Sequence, residues 1–73
     1  MFSGPEERIE RKIKRLNAIR AEYEDRIDDL KKMLREEKIS KEKYERLVFL
    51  AQEKVDKLVS QVKELRMRRE KLG

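Results

Sequence analysis

The chain contains no cysteine, no histidine and no tryptophan. Without cysteine there is no disulfide and no thiolate chemistry, and thiols say nothing of the redox compartment. Without histidine the usual acid–base residue near neutral pH is gone, together with the commonest transition-metal ligand. Aromatic residues make up only 5% of the 73 residues. No apolar run is long enough to span a membrane. Phosphate-binding loops, zinc spacings, nucleophile elbows and dinucleotide fingerprints are all missing. No enzyme activity and no cofactor are expected. The opening Met-Phe-Ser-Gly-Pro is too short for a secretory signal, so the expected location is cytoplasmic.

What the chain does have is charge. Charged residues make up 51% of it, with 21 Lys and Arg against 16 Asp and Glu. A chain of this length allows one small domain with a marginal core. Richness in Glu, Lys, Arg and Leu with helical periodicity reads as long helices or a coiled coil, and is compatible with a thermophilic source.

The period is explicit. Ser3-Gly4-Pro5-Glu6-Glu7 is a helix start, with proline in the first turn and acids at the positive helix end. From there apolar residues step by four and three through Ile9, Ile13, Leu16, Arg20, Tyr23, Ile27, Leu30 and Leu34. The steps resume through Tyr44, Val48, Ala51, Val55, Leu58, Val62, Leu65, Arg69 and Leu72. These are the a and d positions of a heptad repeat, interrupted by one arginine in each half.

The midpoint, Leu34 to Leu47, reads LREEKISKEKYERL and holds no glycine or proline. The heptad phase runs through it unbroken, but Glu37 and Lys41 occupy the seam. Local chemistry favours a turn at Lys38–Ser40. Ser40 suits a helix N-cap, Ile39 and Tyr44 have the spacing of a hydrophobic staple, and Glu42 lies in the first turn. Against a turn, Lys43 stands where a capping box needs Glu or Gln, and no glycine ends the first helix. The expected organisation is a single all-α antiparallel coiled-coil hairpin: helix 1 over about 5–37, turn 38–40, helix 2 over about 41–72. A continuous rod paired antiparallel with a second chain uses the same contacts.

Folding back pairs Leu34 with Tyr44, Leu30 with Val48, Ile27 with Ala51, Tyr23 with Val55, Leu16 with Val62 and Ile13 with Leu65. Arg20 falls opposite Leu58, and Ile9 opposite Arg69. At about 1–2 kcal/mol per side chain this is a modest core.

The flanks differ. On the first edge Lys31 faces Glu45 and Glu10 faces Arg66, both attractive. On the second, Arg26 faces Lys54 and Lys12 faces Arg68, both repulsive, beside Ile19, Met33 and Leu47. Near the bend, Phe49, Leu50 and Ile39 add apolar groups outside the seam. Ile19, Met33, Ile39, Leu47, Phe49 and Leu50 are therefore the expected surface for self-association or a protein partner. A dimeric four-helix bundle is the expected oligomer.

An alternative use is nucleic acid. Residues 1–20 and 60–73, which meet in a hairpin, carry eleven Lys and Arg against five Glu. Arg8, Arg11, Lys12, Lys14, Arg15, Lys63, Arg66, Arg68, Arg69 and Lys71 form this basic end, which could track phosphates of RNA or DNA. No aromatic or glycine-rich reader accompanies it. The paired acids Glu24-Asp25 and Asp28-Asp29 lie outside the seam, so a metal-binding bundle core is not expected. Charge mixed evenly round both helices excludes a membrane-facing stripe.

One local resemblance remains. Residues 30–47, LKKMLREEKISKEKYERL, resemble the SHOCT (short C-terminal) helix-turn-helix module through Leu34, Ile39, Ser40, Glu42 and Tyr44. The glycine usual before the isoleucine in that family is replaced by Lys38. The resemblance implies a turn at Ile39-Ser40 and a role in oligomerisation or partner contact, without catalysis.

Overall fold

A computed structural model, which describes residues 4–72, shows two helices, α1 (Pro5–Arg35) and α2 (Lys41–Leu72), packed as an antiparallel hairpin. The hairpin measures 50 × 18 × 11 Å. Its long axis is that of one helix, since 31 residues at 1.5 Å each rise about 47 Å.

Gly4 starts α1 with φ 63° and ψ −126°, a backbone state that glycine reaches at little cost. Pro5 follows in the first turn, and Glu6 and Glu7 lie at the positive end of the helix. Lys32 and Arg35 occupy the last turn, where cations suit the negative end.

α1 ends at Arg35, two residues short of the expected boundary at 37. Glu37 is the reason: it takes φ 60°, the left-handed state that stops a helix. Its N–H donates to Leu34 O at 3.0 Å, and the N–H of Lys38 donates to Met33 O at 2.9 Å. These two bonds are a Schellman closure, made here without glycine. Forcing a side chain into that state costs on the order of 1 kcal/mol. The Lys38 ammonium stands 3.0 Å from the Glu36 carboxylate across the same turn.

α2 then starts on Ser40. Its Oγ accepts the Lys43 N–H at 3.2 Å, and its carbonyl accepts the Tyr44 N–H at 2.9 Å. Ile39 and Tyr44 flank this cap, both half-buried.

The buried residues are Ile13, Ile27, Leu30, Ala51, Val55, Val62 and Leu65, all of them a or d positions of the repeat. Ile13, Val62 and Leu65 form one cluster at the open end, with Ile9 and Leu16 packed against it. Leu72, the last seam residue, is exposed.

Both seam arginines are half-buried, and each finds an acid. Arg69 pairs with Glu10 across the helices. This corrects the expected Glu10–Arg66 pair: Arg69, at the seam itself, is half-buried beside Glu10, whereas Arg66 stays exposed. Arg20 reaches Glu24 on its own helix, 3.8 Å from Nε, which is too far for a hydrogen bond. That Nε is buried and makes none.

Candidate partner-binding edge

Two helices cover one face of each other and leave the rest wet. In heptad terms, the first edge is built from e positions and the second from g positions. The second edge carries Lys12, Ile19, Arg26 and Met33 from α1, and Leu47, Lys54, Gln61 and Arg68 from α2.

A groove of about 550 Å³ lies on this second edge toward the turn. Its apolar lining is Tyr23, Leu30, Leu47, Leu50 and Ala51. Arg26 stands on one bank, with Lys54, Lys57 and Glu53 on the other. Ala51 widens the groove here: as the smallest residue of the seam, it fills less space than a leucine would. Arg26 does not swing free, because its guanidinium sits 5.3 Å from the centre of the Tyr23 ring.

A second hollow of about 350 Å³ continues along the same edge toward the open end. Leu16 and Leu65 supply its apolar part, and Lys12 and Arg68 its charge, with Gln61 and Glu64 beside them. The edge is thus an apolar track bordered mainly by cations.

The six apolar residues expected as a partner surface do not fall in one place. Leu47 and Leu50 line the groove. Ile19 and Met33 sit half-buried further along the same edge, outside its lining. Ile39 lies in the turn, half-buried. Phe49 is 63% exposed and Leu50 is 52% exposed. Phe49 points away from the groove's lining, onto the outer side of α2. Sequence reasoning did not find Lys57 or Glu53, which lie outside the flanking positions. The small residue Ala51 within the seam was the signal that could have led to them.

The hairpin brings the ten basic residues of the open end together from both helices. All but Arg69 are exposed. Arg11 pairs with Glu7, and Arg69 with Glu10. The nine exposed cations do not make one stripe. Arg8, Arg11, Lys12, Lys14 and Arg15 step round α1, and Lys63, Arg66, Arg68 and Lys71 step round α2.

No family model, curated protein or solved structure matches the chain. Among the described residues, no helix is long and apolar enough to cross a membrane.

Proposed function

We propose that this protein is a non-catalytic helical-hairpin interaction module or scaffold, which works by packing further helices against its second edge. The groove beside Ala51 carries the reading: a two-helix chain with little apolar surface to spare leaves Leu50 open on one edge, with Leu47 half-buried beside it. Large exposed apolar groups rimmed by charge are the mark of an interaction surface. A second copy, giving a dimeric four-helix bundle, or another protein supplies the added helices. Sedimentation velocity from micromolar to millimolar protein, with helical peptides present and absent, tests the module. Assembly of either kind that is lost on Leu50→Glu supports it. A monomer throughout, blind to every helix offered, sinks it.

A second reading is a small RNA- or DNA-binding protein, favoured by the cations that the hairpin gathers at its open end. Counterion release would make such binding steeply salt-dependent and indifferent to sequence. Removing Arg66, Arg68 and Arg69 together should weaken it and flatten its salt dependence. Failure to retain an oligonucleotide at low salt excludes this role. The arrangement supports it less well, because the cations encircle the end and alternate with Glu6, Glu7, Glu64 and Glu70.

A further inference from the structure

We infer that the groove beside Ala51 receives an acidic amphipathic helix from another protein, laid along the second edge of the hairpin. This rests on the interaction-module reading and adds the chemistry of the partner. Buried Leu30 on α1 lies at the floor of the trough, and Leu47 and Leu50 on α2 form an apolar side against which the ridge of a third helix fits. The charges standing over that trough are Arg26, Lys54 and Lys57, against the single acid Glu53. Arg26 is held at the groove by its stacking on Tyr23. Lys12 and Arg68 continue the basic border along the second hollow. A complementary helix therefore carries an apolar ridge flanked by Asp or Glu on both sides. From Lys12 to Met33 the edge runs for about 30 Å, the length of roughly 20 helical residues.

A second copy of this chain fits less well. A two-fold pairing of second edges sets Arg26, Lys54 and Lys57 against the same cations of the partner. The acidic stretch of α1 offers the right charge in exposed Glu22, Asp25 and Asp29. Its exposed neighbours, however, are Ala18 and Ala21, too small to form a ridge that fills the groove. The second edge of the copy has the apolar groups with the wrong charge, and the acidic stretch of α1 has the charge without the apolar groups. The outer side of α2 sets exposed Phe49 between Glu45 and Glu53, but Gln52 and Asp56 follow it, so it presents one aromatic residue and not a continuous apolar ridge. Nucleic acid would match the cations, but the floor is aliphatic, and Tyr23 is already covered by Arg26.

The test titrates the isotope-labelled full chain with a designed helical peptide of about 20 residues, leucines on its ridge and glutamates on its flanks. Three further probes are the same peptide with lysine for glutamate, the acidic peptide with its leucines scrambled, and an oligothymidine. The expected result is saturable binding of the first peptide, with amide shifts at Leu30, Leu47, Leu50 and Ala51. Leu50→Glu should weaken it at least tenfold. The double variant Arg26→Glu, Lys54→Glu should exchange preference toward the lysine peptide. These positions are exposed, and circular dichroism checks that each variant stays helical. Equal binding of the lysine or scrambled peptide overturns the inference while leaving the module standing. So do displacement of the acidic peptide by the oligonucleotide, and a dimer crosslinked through position 50. If no peptide binds and the chain stays monomeric, both readings fall.

Discussion

At the open end of the hairpin, Ile13 packs with Val62 and Leu65, Ile9 and Leu16 close over them, and the Glu10–Arg69 pair ties the helices together. Toward the turn the seam narrows to Ala51, a groove opens beside it, and Leu50 and Phe49 face outward. The repeat is the same at both ends and each has a hollow on the second edge, but the one beside Ala51 is the roomier of the two, at about 550 against 350 Å³. Large branched residues in the seam complete a two-helix core. A small seam residue with surplus apolar groups outside leaves room for a third helix. The turn itself is also the less settled part, because it closes on a glutamate where glycine is usual.

The largest expected effect breaks the comparison by removing the turn. Glu37 and Lys41 are exposed in the hairpin but would fall on the seam of a continuous helix. Glu37→Leu with Lys41→Leu gains nothing in the hairpin. In an antiparallel rod dimer each leucine is buried, at about 1.5–3 kcal/mol apiece. The double variant should therefore convert the hairpin to a rod. Spin labels at positions 6 and 72 of one chain would move from close approach to about 100 Å, and the mass would double. A variant that keeps the short distance would show that the Ser40 cap and the Schellman closure outweigh two seam leucines.

Next in size is a pair of leucine deletions. Leu65, buried at the open end, should cost about 2–4 kcal/mol on truncation to alanine. Leu50, half-exposed by the groove, should cost no more than about 0.5 kcal/mol. Urea denaturation of the two variants reads the difference directly. Similar losses at both sites would mean that Leu50 is already covered in solution, and the contrast between the ends would collapse.

Much of this was legible in the sequence. The seam followed from apolar spacing alone, and the buried residues all fall on it. Ser40 announced the start of α2 because a serine hydroxyl readily accepts a free amide of the first helical turn, here that of Lys43. The end of α1 was harder to read. No residue type marks Glu37 as left-handed, since glutamate there is a strained choice fixed by the closure of the hairpin. The partner of Glu10 was missed for a related reason. Heptad bookkeeping ranks Arg66 as its neighbour, but a long arginine at the seam reaches out from Arg69 instead. The groove depends on a volume left by Ala51, and letters record volume only indirectly.

The caps sharpen the turn end by smaller amounts. Ser40→Ala removes the bond to the Lys43 amide and should destabilise the hairpin by about 1 kcal/mol. Glu37→Gly relieves the left-handed side chain, and should stabilise it by a similar or smaller amount, about 0.5–1 kcal/mol. Thermal melts of the two variants should shift in opposite directions. If Glu37→Gly also lowers stability, the Glu37 backbone is not strained, and another contact holds the turn.

The smallest effect on stability tests which end is built for binding. Arg26→Glu replaces a repulsive neighbour of Lys54 with an attractive one, worth a few tenths of a kcal/mol at an exposed site, about 0.2–1 at most. It also loses the stacking on Tyr23, about 0.5–1 kcal/mol where exposed. The two nearly cancel, so the melting curve should hardly move and should respond little to salt. Charge reversal at Glu10 makes the useful contrast, because it sets a like charge against Arg69 in a half-buried pair and should lower stability measurably. If Arg26→Glu proves the more damaging of the two, Arg26 holds the hairpin together and is not free to greet a partner. If it is silent in the melt while cancelling the groove's excess of positive charge, the cations of the second edge are surplus to the fold, as a binding surface requires.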